Sequence, residues 1–457
     1  MEKKENKNGA DGSVDMLHGP MAKKIFLFAL PIAASSILQQ LFNSADVAVV
    51  GRFAEEGALA AVGSNTVLVG LFVNIFIGLS VGANVAISYA IGQRREEQAS
   101  AAVHTAMLFS VLCGIVVMFI GILIAKPILV CMDTPADVLD RAVLYLRIYC
   151  VGMPFIIPYN FGAAILRSIG DTKRPMYCLT ASGIMNVCLN LLLVIVFRMG
   201  VAGVAISTVV SNIFSTAAVF YILFHEKGTI RLYPKRLKIE SVPLWRIVRI
   251  GAPAALQSAV FSLSNICLQT AINSFGSKAV AGMTAALNFE FFSFYVINAF
   301  SQAAVTFVGQ NYGAGKYDRC KKTLRLCMLE GVTGTVALTL MFILGREFLI
   351  RIYTTDPQEI EYAMMRLLCV APLIFTAGSY EITGSALRGM GRSMAPALFT
   401  VIGSVVFRVI WVYTVFARWH NFIVLVIVYP VSWILTGIMV CGYYFMLRRR
   451  LFVTSIS

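Results

Sequence analysis

The chain has 457 residues, of which 58% are hydrophobic and only 13% charged, against roughly 25% charged in an ordinary soluble domain. That composition excludes a soluble globular protein, and the formal net charge of +15 reads as basic loops at a membrane surface rather than as a nucleic-acid footprint. Apolar runs recur almost to the C-terminus, each long enough to cross a ~30 Å hydrocarbon core, with no alternating pattern of the barrel kind.

In chain order, residues 1–24 are polar and expected to be a cytoplasmic N-terminal segment. They contain no signal-peptide core or cleavage site, so the run from Ile25 is expected to remain as an uncleaved anchor. The expected class is an all-α integral membrane protein with twelve transmembrane helices in two pseudo-symmetric six-helix lobes. The spans expected in the first lobe, 25–225, are 25–50, 59–91, 99–124, 137–164, 175–197 and 201–225. A basic linker follows at 226–244. The second lobe, 245–447, holds spans at 245–273, 278–311, 322–345, 358–386, 395–417 and 421–447, and a basic cytoplasmic tail closes the chain at 448–457. Prolines at 31, 154, 158, 253, 372 and 430 lie within or near spans, where each removes a backbone donor and favours a bend, static or mobile.

The first span carries Ser35, Gln39, Asn43 and Asp46. At 100° per residue these four fall within roughly 80° of arc and form one polar stripe. Ser258, Ser262, Asn265 and Gln269 form the matching stripe on the seventh span, where Leu268 aligns with Asp46. An ionisable group at such a depth costs at least ~2.5–3.5 kcal/mol, so it faces protein or water. Asp46 reads either as a group that exchanges a proton or cation or as a structural aspartate held by amides. Further polar candidates are Asn160 on the fourth span, Asn186 and Asn190 one turn apart on the fifth, and Thr208 on the sixth. Glu290 and Arg408 lie at similar depth and are expected to pair or to serve a substrate cavity. Arg147 and Arg366 have no partner visible in the sequence, Glu381 lies near the end of its span, and Glu330 and His104 read as local packing groups.

Two global patterns organise these spans. Of the 38 lysines and arginines, 27 fall on one set of alternate loops and termini, 8 on the other and 3 within spans, so both termini are expected in the cytoplasm. The halves also repeat. Pro31 and Asn43 lie 222 residues before Pro253 and Asn265. AILRSIGDTKRP, ending at Pro175, aligns with ALRGMGRSMAP, ending at Pro396, at a shift of 221. Six spans per half is an even number, so the repeats run parallel, an arrangement that transporters use to rock two bundles about a central site.

These residues resemble the multidrug and toxic compound extrusion family: Pro31 with Asp46, VGRF and ALAAVG in the first hairpin, the two repeated segments above, MGVAGVAISTVV and GQNYGAGKYDR. The resemblance spans the whole chain. It implies two six-helix lobes forming a V around a central cavity, and export of amphipathic, often cationic, compounds driven by inward H⁺ or Na⁺. It implies that Asp46 is the coupling carboxylate. Asn160, Asn186 and Thr208 match polar partners in the first-lobe cation site of archaeal-type members, which carry a second carboxylate where this chain has Asn190. Gln39, Asn43, Asn265, Gln269 and Glu290 are the expected substrate-cavity residues. The resemblance implies no cofactor beyond H⁺ or Na⁺ as coupling ion. The expected partners are the bilayer and a small organic substrate, with no nucleic acid, in a monomer of the plasma (inner) membrane.

Two other classes are weighed against this one. A lipid-linked oligosaccharide flippase of related fold would line its cavity with Arg or Lys, and only three arginines lie within spans. An intramembrane enzyme would need a GxSxG, an HExxH or paired ligands, and the sequence has none. The ten cysteines are scattered singly and read as packing residues. The chain is therefore read as a transporter and not an enzyme.

Overall fold

The computed structural model describes residues 14–55, 57–132 and 134–453. The first thirteen residues of the expected N-terminal segment and the last four of the tail lie outside the described residues. Within them the protein is helical, with no strand. An apolar chain in lipid must satisfy its backbone groups internally, and the helix does so segment by segment.

The helices are α1 (Ala22–Phe53), α2 (Ala58–Gly92), α3 (Glu96–Cys131), α4 (Ala136–Val151), α5 (Met153–Ser168), α6 (Lys173–Asn190) and α7 (Gly200–His225). After the linker come α8 (Ser241–Asn273), α9 (Ser277–Gly313), α10 (Tyr317–Leu344), α11 (Arg346–Tyr353), α12 (Pro357–Val370), α13 (Phe375–Gly389), α14 (Met394–Thr400), α15 (Phe407–Trp411), α16 (Phe422–Val426) and α17 (Val428–Val453). Among the described residues, ten stretches are individually long and apolar enough to cross a membrane, and two bent pairs, each taken as one span, bring the number to twelve. The fourth and tenth spans, expected as single helices, are these pairs: α4 and α5 meet at 48°, and Pro357–Leu373 meets α13 at 47°. Pro154 at the start of α5 and Pro372 in the turn before α13 each lack the donor that would carry the helix through. A short helix, α11, was not expected. Its Ile350 is buried while Phe348 and Ile352 stay exposed, a two-sided pattern too short to register as a span.

The described residues divide into two compact units. The first holds residues 14–20 and Ala34–Val248; the second holds Met21–Ala33 and the chain from Arg249. Membership changes within α1 shortly after Pro31 and within α8 shortly before Pro253. In the first unit a core of alanine, valine, Phe161, Leu166 and Leu223 is fully buried. α3 crosses α5 closely enough that a Cβ on Gly114 would lie 2.6 Å from the Pro154 backbone, so only glycine fits there. The linker is pinned to α3: His104 Nδ1 donates to Ser100 O at 2.7 Å, and Nε2 accepts from Tyr233 N at 3.0 Å. His104 is thus a clamp with a fixed tautomer rather than filler. At the start of α6, Arg174 pairs with both Asp171 and Glu226, tying α6 to the end of α7. In the second unit, Phe28 of α1 packs edge-on against Phe307 at 5.5 Å, and Arg388 donates to Gln257 Oε1 at 2.8 Å.

Candidate functional site

The site in the first unit is built where α1 meets α6. Gly183 of α6 faces the Phe42 ring so closely that a Cβ there would lie 1.9 Å from a ring carbon. One turn further along α1 is Asp46, and one and two turns further along α6 are Asn186 and Asn190. The glycine lets the two backbones approach, and the approach delivers the carboxylate to the amides. Asn190, fully buried, donates through Nδ2 to Asp46 Oδ1. With the Asn186 amide turned so that its nitrogen faces the carboxylate, Nδ2 donates to Oδ1 at 2.7 Å and lies 3.3 Å from Oδ2. Asp46 itself is half-buried. Among the described residues no Lys, Arg or His lies within ion-pair distance of it. The phenol of Tyr145 on α4, buried and stacked on Tyr149 at 6.1 Å, lies within electrostatic reach of the carboxylate. Sequence reading passed over Tyr145 because an aromatic ring in an apolar run counts as hydrophobic there.

Directly after Asn190 the helix loosens into a π-helical turn over Leu191–Val196, a departure that often accompanies functional sites. The repeat has the same feature at Val412–Phe416. Yet the polar residues are not repeated. At the shifts of 222 and 221, Asp46, Asn186 and Asn190 fall on Leu268, Phe407 and Trp411. The carboxylate–amide cluster belongs to the first unit alone.

The other expected residues are placed as follows. Asn160 donates to Ile156 O at 2.8 Å and Thr208 to Val204 O at 3.0 Å. Both bonds lie within their own helices, and no hydrogen bond brings either residue to Asp46. Gln39 and Asn43 are exposed on the same helix as Asp46. Asn265 and Gln269 are exposed in the second unit, with Gln269 donating to Asn273 Oδ1 at 3.0 Å.

Glu290 departs from its expected setting. It is 6% exposed, and both its oxygens are held by Arg366, from Nε and Nη2, each at 2.7 Å. It therefore pairs with Arg366 and not with Arg408. The cause is again a close helix crossing: a Cβ on Gly282 of α9 would lie 2.3 Å from Glu359 O of α12, and two turns along both helices lie Glu290 and Arg366. Arg408 instead donates from Nε to Ser432 Oγ at 2.9 Å and sits 4.8 Å from the Tyr429 ring, whose other close cation is Arg366 at 4.5 Å. Arg147 is exposed on α4. No cluster of three or more His, Cys, Asp or Glu suited to a metal ion occurs among the described residues.

Two stretches of the chain, residues 31–192 and 253–414, match the sequence profile of the MatE family. This chain belongs to the MatE family. The two matches start and end 222 positions apart, the same shift that relates Pro31 to Pro253. The MatE chain is 28% identical over 450 residues to the probable multidrug resistance protein YoeA of Bacillus subtilis (strain 168), covering 95% of this chain and 96% of that one. It is 27% identical over 388 residues to the probable multidrug resistance protein NorM of Thermotoga maritima, covering 83% and 82%. Its fold matches an outward-facing multidrug resistance MATE family transporter of the MOP superfamily with a TM-score of 0.90 at 21% identity, over 97% of this chain and 99% of that one. A MOP superfamily transporter from Pyrococcus furiosus matches with a TM-score of 0.88 at 20% identity, over 96% and 98%. The protein is a multi-pass membrane transporter of the multidrug efflux family.

Proposed function

We propose that this MatE protein is a secondary antiporter that exports amphipathic, often cationic, organic compounds in exchange for H⁺ or Na⁺. On this reading it sits in the plasma membrane with both termini cytoplasmic, since the basic loops gather on that side. One observation carries the reading: Asp46 lies in an apolar helix, half-buried, bonded to the Asn190 and Asn186 amides and to no cation among the described residues. A structural aspartate in such a setting is ordinarily neutralised by a basic partner. This one is held by neutral amide donors alone, so a mobile cation is left to balance it.

The chemistry follows from the donor set. The two amide nitrogens hold the carboxylate on the α6 side. A proton arriving at the carboxylate weakens those two bonds, because a neutral carboxyl is the poorer acceptor. Na⁺ would instead take the carboxylate with amide oxygens, of which the buried Asn190 Oδ1 has no hydrogen-bond partner among the described residues. Either ion changes what holds α1 to α6, which gives ion binding a mechanical consequence. The exchange of ion and substrate then couples through differential affinity of two states.

The test is efflux of a fluorescent organic cation from proteoliposomes, with a pH gradient and a Na⁺ gradient imposed separately. One of the two gradients is expected to drive efflux of the dye against its concentration. Efflux indifferent to both gradients would refute the antiport reading. The flippase reading finds less support here, because Arg366 and Arg408 are each 1% exposed and Arg366 is paired with Glu290.

A further inference from the structure

A groove of about 460 Å³ opens on the second unit where α10 and α17 pass either side of α13. Its walls are two facing stripes. Lys321, Arg325, Met328 and Leu329 recur at helical spacing on α10; Cys441, Tyr444, Phe445 and Arg448 recur likewise on α17. Thr383 of α13 forms the floor, its hydroxyl 3.6 Å from Cys441 Sγ. α10 enters the bundle at the end where α17 leaves it, so the basic residues of both stripes meet at one end of the groove. The remainder is apolar. Leu329 and Phe445 are 62% and 57% exposed, on helices that are long and apolar enough to span the membrane.

We infer that this groove binds one anionic phospholipid, its phosphate between the guanidinium groups of Arg325 and Arg448 and an acyl chain along Met328, Leu329 and Phe445. Charge complementarity selects the occupant. Lys321 is bonded to Asp318 at 2.9 Å, whereas among the described residues no carboxylate lies within ion-pair distance of Arg325 or Arg448. Both arginines are exposed. A guanidinium presents a planar fork that matches phosphate oxygens in pairs, and basic pockets between transmembrane helices are the setting in which anionic headgroups bind. A soluble anion would use the basic end and leave the apolar walls wet. A zwitterionic lipid would set its own cation against the arginines. Only a ligand with an anionic head and a hydrocarbon tail satisfies both ends. On the orientation proposed above, the groove faces the inner leaflet.

Native mass spectrometry of the detergent-purified full chain tests this with three probes added at equal concentration: dioleoyl phosphatidylglycerol, dioleoyl phosphatidylcholine and inorganic phosphate. Phosphatidylglycerol adducts are expected to exceed phosphatidylcholine adducts at least fivefold, and inorganic phosphate is expected not to displace them. The Arg325→Gln/Arg448→Gln double variant should lose that preference. Met328→Trp, which fills the apolar wall and keeps both charges, should lower phosphatidylglycerol retention at least threefold, and it holds the test open if the double variant does not fold. Equal retention of the two lipids, displacement by inorganic phosphate, unchanged preference in the arginine double variant, or undiminished phosphatidylglycerol retention in Met328→Trp would overturn the proposal.

Discussion

At the scale of single residues, the carboxylates of Glu290 and Asp46 are held in opposite ways. In the second unit Glu290 and Arg366 neutralise each other with two parallel hydrogen bonds. Removing one partner leaves the other charge buried, which typically costs ~3–5 kcal/mol, whereas replacing both with apolar groups is far milder. Glu290→Gln should therefore lower the melting temperature of the purified protein markedly, and Glu290→Leu/Arg366→Met should recover most of the loss. A double variant no more stable than the single one would show that the pair is not the unit that matters. In the first unit Asp46 has no such partner, and its amide neighbours are neutral. Asp46 was legible in the sequence because a lone carboxylate in an apolar run is a strong signal. So were Asn186 and Asn190, one turn apart on one face. The Glu290–Arg366 pair was not, because 76 residues separate its members and nothing local links them.

At the scale of helices, close crossings set which side chains meet. Gly183 admits the Phe42 ring, and that contact fixes the register of α1 on α6. Gly183→Leu should push α1 away, separate Asp46 from its amides and reduce gradient-driven efflux at least tenfold, while the protein still inserts and purifies as a folded species. Efflux at the unsubstituted rate would show that this contact does not position the site. The start of α12 offers a second case, outside the spans. Asp356 caps the helix, accepting from Gln358 N at 2.9 Å and Glu359 N at 3.4 Å, and pairs with Lys278 of α9. The hydrogen bond from Lys278 holds its carboxyl below the usual carboxylate range. A lowered folded-state value means the contribution is present above the ordinary carboxylate pKa of about 3.9 and fades as pH falls through the folded value. The melting-temperature gap between the unsubstituted protein and Asp356→Asn should thus be constant at neutral pH and close in strong acid. A gap that widens toward acid would contradict the assignment. None of these crossings is readable from sequence, since a glycine in an apolar run does not say what approaches it. The prolines marked where helices break at 154 and 372, but not the angles.

At the scale of the whole molecule, one design is used twice and then made unequal. The duplicated prolines and the repeated segment before Pro175 and Pro396 made the internal repeat visible, and the structure repeats the bent span and the π-helical turn as well. What differs is chemical: Asp46, Asn186 and Asn190 against Leu268, Phe407 and Trp411. On the antiport reading proposed above, the first-unit cluster is the place at which ion binding acts. The most direct measurement is paired transport and ion flux in proteoliposomes for the unsubstituted chain and for Asp46→Asn. We predict that the substitution abolishes both gradient-driven substrate efflux and substrate-induced ion movement, while the variant still inserts and purifies as a folded protein. Coupled flux at the unsubstituted rate in Asp46→Asn would contradict the account.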